Sequence, residues 1–145
     1  MELQTFTSNS STMNLQKILF LVLALVLVKI DFTHAQTSPV KNISAAEFEE
    51  LMKNKGAVRV LDVRTPEEVA AGRLVGAINL DFKNDNFKSE IDKLDKRRTY
   101  LVYCKVGGRS EQAAKLMKET GFTHVYALDK GFDGWQEAGK PIENK

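Results

Sequence analysis

A chain of 145 residues, 43% hydrophobic and 28% charged, has the composition of a soluble globular protein with room for one well-packed domain and no second one. The net charge of +2 comes from interspersed acids and bases, and the densest basic cluster, Lys96-Arg97-Arg98, reads as the solvated start of a strand, so nothing points to nucleic acid. The single cysteine excludes an internal disulfide.

The first segment with a signature is an unbroken apolar run from Ile18 to Val28, preceded by Lys17 and followed by Thr33-His34-Ala35-Gln36. It reads as a secretory signal peptide cut after Ala35. The run falls short of the ~20 apolar residues of a membrane span, and Lys29 and Asp31 close it. Met13 offers an alternative translation start. The expected organisation is a signal peptide over residues 1–35 and one domain over 36–145, in a periplasmic or secreted product with no membrane contact after cleavage.

Val40 to Ile43 is a brief extended segment. Ser44 then caps a helix, with Glu47 as the capping-box partner and Ile43 and Phe48 as a hydrophobic staple, and Gly56 ends it. Ala57 to Leu61 reads as a buried strand delivering Asp62-Val63-Arg64 at its carboxyl end. Thr65 caps the next helix, with Pro66 at the first helical position, Glu68 completing the box and Gly72 closing it. Ala77 to Leu80 is strand-like, and Phe87, Ile91 and Leu94 have helical spacing. Thr99 to Tyr103 is a strand that runs into Cys104, followed by a loop with Gly107 and Gly108. Beyond the loop a helix opens near Ser110 with Ala113, Leu116 and Met117 on one face and ends at Gly121. Thr123 to Leu128 is the last strand, and a short helix spans Phe132 to Ala138. Strands alternating with helices predict an α/β fold, an open five-stranded, mainly parallel sheet with helices on both faces. Sites in such sheets form at the carboxyl ends of strands, where Cys104 and Asp62 both fall.

A cysteine reacts as thiolate, and an ordinary thiol is mostly protonated at neutral pH, so Cys104 needs an activator. His124, the one histidine after Ala35, opens the last strand at the end opposite the loop, which argues against a Cys-His hydrolase. The backbone remains: Gly107 and Gly108 let successive N–H groups turn inward, and the following helix adds its positive end. Such a nest stabilises a thiolate and holds an anion, with Lys105 and Arg109 adding charge at its two ends.

Leu61 to Glu68, Gly72 to Leu80, Cys104 to Ser110 and Gly131 to Pro141, in that order, resemble a single-domain rhodanese of the periplasmic thiosulfate sulfurtransferase type. The resemblance implies that Cys104 takes sulfane sulfur from thiosulfate or a similar small anionic donor and passes it from a persulfide to a thiophilic acceptor. The acceptor could be cyanide, a small thiol or a thioredoxin-like protein. Lys105, Val106, Gly107, Gly108 and Arg109 would bind the donor and persulfide. Asp62 and Arg64, matching the family's strand-end Asp-x-Arg, and Ser110 would support the loops. No metal or cofactor is called for. Two departures stand out: Arg73 replaces a common histidine, altering the rim of the cleft, and Asp129-Lys130 precedes Gly131 where relatives commonly carry another glycine. Phosphatases and arsenate reductases of this fold share a Cys-to-Arg loop, but with five intervening residues; here there are four, Lys105 to Gly108. A docking module or sulfur carrier without turnover is the rival from another class.

Overall fold

The capping signals become helix boundaries. The computed structural model describes residues 39–144, so the signal-peptide expectation for residues 1–35 lies outside the described residues. Along the chain come β1 (Lys41–Ile43), α1 (Ala45–Met52), β2 (Val58–Asp62), α2 (Pro66–Ala70), β3 (Arg73–Leu74), β4 (Ile78–Asn79) and α3 (Phe87–Asp92). They are followed by β5 (Thr99–Tyr103), α4 (Gly108–Glu119), β6 (His124–Leu128), α5 (Gly131–Glu137) and β7 (Ile142–Glu143). Both capping boxes close: Ser44 and Glu47 satisfy each other's N–H groups at the start of α1, and Thr65 and Glu68 do so at α2, where Pro66 is the first helical residue. Helix ends come earlier than the sequence suggests. α1 stops at Met52, ahead of Gly56, and α3 stops at Asp92, leaving Leu94 to pack from the following turn.

The main sheet has five parallel strands in the order β1-β6-β5-β2-β4. Alternation along β5 divides its side chains between two apolar layers. Tyr100, Val102 and Cys104 face one, with Phe87 and Ile91 of α3 and Ala113 and Met117 of α4; Leu101 and Tyr103 face the other, with Phe48 of α1 and Trp135 of α5. Trp135 is an anchor of that second layer, edge-on to Phe48 at 6.0 Å, with its Nε1–H donated to the Pro141 carbonyl at 2.9 Å. This is the α/β architecture expected, a mainly parallel five-stranded sheet covered on both faces.

The sequence reading missed a second sheet, the antiparallel pair β3-β7. Each strand is two residues long, too short for alternation to register. In this ribbon the guanidinium of Arg73 is ion-paired with Glu143 of β7.

Topology makes a crevice at the carboxyl ends of β2 and β5. These strands are neighbours, but β2 leads on to β4 on one side and β5 leads on to β6 on the other, so their loops diverge. The turn before α5 closes over this region. Lys130 supplies a left-handed conformation there (φ 57°). Gly131 follows with φ 56°, and a Cβ at this position would sit 2.5 Å from the Cys104 carbonyl oxygen and 2.6 Å from that of Lys105. Replacing Gly131 by alanine therefore combines a disfavoured φ with a backbone clash, and is expected to cost more than about 2 kcal/mol in urea unfolding. Gly139→Ala, also at positive φ but facing open space, is expected to cost about 1 kcal/mol in the same measurement.

Candidate active site

Cys104 stands directly after β5, the central strand, and is 1% exposed. Its Sγ accepts a hydrogen bond from the Gly107 N–H at 3.1 Å, and the Ser110 hydroxyl lies 3.6 Å away. Ser110 is itself fixed by donating to the Gly107 carbonyl at 2.8 Å. Gly107 has a φ of 104°, a conformation open to glycine, and it caps α4, which begins at Gly108, two residues ahead of the expected Ser110. The sulfur thus sits over inward-facing N–H groups at the positive end of a three-turn helix. Burial pushes the Cys104 thiol up, but hydrogen bonds from the Ser110 side chain and from the backbone of Ser110, Gly107 and Val106 outweigh it and bring it below the ordinary thiol value.

The two loop cations are both engaged. Arg109 donates from its two terminal nitrogens to Glu68 Oε2 and Oε1, each at 2.7 Å. Lys105 Nζ reaches both carboxylate oxygens of Asp133 at 2.9 Å. Glu68 was legible in the sequence only as the capping residue of α2; its second role depends on the crevice bringing α2 beside α4. Its hydrogen bonds to Arg109 lower its carboxyl to about 2, against the opposing effect of burial. Asp133 was missed altogether, because it reaches the loop only when α5 docks there. That docking is made by the Cys104 and Lys105 carbonyls, which accept from the N–H groups of Phe132 (2.7 Å) and Asp133 (3.0 Å).

Asp62 and Arg64 form a buried pair behind the loop, 0% and 2% exposed. Arg64 Nε donates to Asp62 Oδ1 at 2.9 Å, and a terminal nitrogen donates to Oδ2 at 2.6 Å and to the Gly72 carbonyl at 2.8 Å. Its guanidinium lies 4.0 Å from the Phe132 ring centroid. The Tyr103 hydroxyl donates to Asp62 Oδ2 and accepts from the Leu74 N–H at 3.1 Å, and burial pushes this phenol far up. Asn79 donates to the Asp62 and Arg64 carbonyls at 2.9 and 2.8 Å.

His124 is exposed at the amino end of β6, the end opposite the loop. Among the described residues no group of three or more His, Cys, Asp or Glu side chains could hold a metal ion. A groove of about 590 Å³ lined by Met52, Val58, Val60, Val75 and Ile78 lies against α1 and the amino half of β2, away from Cys104.

The chain that carries this Cys-to-Arg loop of four intervening residues and the Asp-x-Arg pair matches a family model, a rhodanese-like domain, over residues 44–138. The chain belongs to the rhodanese-like family. It is similar to the thiosulfate sulfurtransferase GlpE of Pseudomonas putida, 38% identical over 99 residues that cover 68% of this chain and 87% of that protein. GlpE of Shewanella oneidensis is 35% identical over 101 residues, covering 70% of this chain and 97% of that protein. Among solved structures, a rhodanese-related protein from Thermoplasma volcanium superposes with a TM-score of 0.65 at 28% identity, covering 72% of this chain and 99% of its own. These relatives overturn one expectation. The GlpE proteins are cytoplasmic, so the periplasmic or secreted localisation, and the signal-peptide reading on which it rested, are corrected. A short apolar run with a small-residue motif resembles a leader by composition alone, which is the weakest kind of sequence signal. Among the described residues no helix is long and apolar enough to cross a membrane.

Two measurements test this rhodanese-like site. Thiolate absorbance followed against pH, taken as wild type minus Cys104→Ser, is expected to show a midpoint below the ~8.5 of a free thiol, and Ser110→Ala to move it upward. Asp62→Ala leaves the Arg64 charge buried and unpaired and is expected to cost about 3–5 kcal/mol in denaturant unfolding. Tyr103→Phe, which removes neutral hydrogen-bonding capacity, is expected to cost about 1–2 kcal/mol in the same assay.

Proposed function

We propose that this rhodanese-like chain is a sulfurtransferase working through a persulfide on Cys104. In the first half-reaction the Cys104 thiolate attacks the outer sulfur of thiosulfate or a similar donor. The sulfur–sulfur bond of the donor breaks and its electron pair leaves with sulfite. In the second, cyanide or a thiolate attacks the terminal sulfur of the persulfide, and the Cys104 thiolate is restored. Two displacements replace one difficult transfer, and no net oxidation or reduction of the enzyme is required.

The observation that carries this reading is the placement of Sγ, 3.1 Å from the Gly107 N–H and 3.6 Å from the Ser110 hydroxyl at the start of α4. Those donors stabilise negative charge at the sulfur both as thiolate and as persulfide, so one fixed environment serves both ends of the cycle. Lys105, Val106, Gly107, Gly108 and Arg109 form the wall against which the donor sits. Asp62 and Arg64 keep β5 and the start of α2 in place. The identity of several relatives as thiosulfate sulfurtransferases supports the same chemistry. Four residues between Cys104 and Arg109 make a smaller ring of N–H groups than the five of the phosphatase loop, which suits one sulfur atom better than a tetrahedral phosphoryl group.

Thiocyanate production from thiosulfate and cyanide is the direct assay. Wild type is expected to turn over and to gain one sulfur atom by mass after thiosulfate alone, while Cys104→Ser loses the adduct and at least about 10³-fold in kcat/KM. Equal rates in the two proteins would refute the persulfide mechanism, and an adduct without turnover would favour a sulfur carrier.

A further inference from the structure

The main sheet is incomplete along one edge. β4 pairs with β2 only at Leu61 and Asp62, so the outer edge of Val58 to Val60 has no strand beside it. The groove of about 590 Å³ lies there, between Met52 of α1 and the turn that joins β3 to β4, with Trp135 and Pro141 also in its lining. Of the three large apolar side chains exposed among the described residues, two line this groove: Val75 and Ile78, each 46% exposed. Apolar surface left open to water in a concavity of ligand size, roughly 300–1,000 Å³, marks a place for an apolar group.

An extended peptide is a poor fit. Adding a strand to this edge uses its main-chain groups, and those of Val58 are taken: its N–H donates to the Asn54 carbonyl at 3.1 Å, and its carbonyl accepts from Arg59 Nη1 at 3.0 Å. The charges at the rim narrow the choice further. Four ionisable side chains line the groove: Glu49, Lys53, Lys55 and Arg59. Glu49 is ion-paired with Lys140 at 2.6 Å, and Lys53 with Glu50. Lys55 and Arg59 have no carboxylate partner among the described residues; Arg59 engages only the Lys55 and Val58 carbonyls, through one terminal nitrogen. The rim therefore sets two uncompensated positive charges beside an apolar floor. A second copy of the chain docked here about a two-fold axis would bring the same two cations to meet them.

We propose that this groove is a binding site, separate from the cysteine loop, for an aliphatic carboxylate. The alkyl chain lies along Val58, Val60, Val75 and Ile78, and the carboxylate reaches Lys55 and Arg59. The planar guanidinium matches the two oxygens of a carboxylate, while the alkyl chain supplies affinity through each CH₂ withdrawn from water.

Trp135, the one tryptophan of the chain, lines the groove and serves as the reporter. Its fluorescence is followed during titration with octanoate, octanol and octylammonium, each below the concentration at which it aggregates. Octanoate is expected to saturate the signal and to bind about 5-fold more tightly than octanol and at least about 10-fold more tightly than octylammonium. From hexanoate to decanoate the affinity is expected to rise about 2- to 4-fold per added CH₂. Lys55→Gln and Arg59→Gln are each expected to weaken octanoate about 2- to 5-fold and to leave octanol unchanged, which shows the groove intact. Val75→Asp, at an exposed position, is expected to weaken octanoate at least about 10-fold. Octylammonium that binds as tightly as octanoate, an affinity independent of chain length, or a Val75→Asp variant that binds octanoate like wild type overturns the proposal. So does a ligand-free chain that sediments as a dimer and becomes a monomer on Val75→Asp, which gives the face to a second copy.

Discussion

The buried Asp62–Arg64 pair is the constraint on which the rest of the site depends. Two ions withdrawn from water are costly unless every lone pair and proton is matched, and here the matching is drawn from separate parts of the chain. Asp62 ends β2, Tyr103 ends β5, Gly72 follows α2, and Phe132 opens α5; each contributes a hydrogen bond or an aromatic face to the pair. No described buried side-chain nitrogen or oxygen is left without a partner. Moving any one of these elements would unsatisfy the pair, so the end of β5, and the cysteine one residue beyond it, are held by a network that does not touch the sulfur.

The loop after Cys104 is held from the other side by α5. Gly131 lets the helix start against the Cys104 and Lys105 carbonyls, and the N–H groups of Phe132 and Asp133 take up those carbonyls. With the carbonyls bound outward, the loop presents its own N–H groups to the sulfur, which is the polarity an anionic centre requires. Lys130 tolerates a left-handed turn to allow this. The same docking brings Asp133 to Lys105, so the support of the loop and the cancellation of its charge have one structural cause.

Much of this was legible in the sequence because it depends on neighbours along the chain. Ser44 with Glu47, Thr65 with Glu68, and the two glycines after Cys104 declare local conformations, and the structure follows them. Asp62 and Arg64 were readable as strand-end supports once the family resemblance was in view. What was not legible depends on distant contacts. Glu68 could be seen as a cap but not as the partner of Arg109, 41 positions away, and nothing in Asp133 distinguishes it from any acid in a first helical turn. β3 and β7 were missed because two residues make no pattern. The expected localisation rested on the composition of one apolar stretch, and the GlpE relatives contradict it.

In the proposed reaction the division of labour between dipoles and full charges has a kinetic meaning. A free arginine or lysine at the mouth would bind a dianionic donor tightly before any bond had broken, which lowers KM without lowering the barrier and would equally retain an anionic product. The N–H groups of the loop act only within hydrogen-bonding distance, where charge sits on Cys104 itself, and they need no reorganisation as thiolate becomes persulfide and returns. Arg109 is paired with Glu68 and Lys105 with Asp133, so the donors that reach the sulfur itself are the loop N–H groups and the Ser110 hydroxyl.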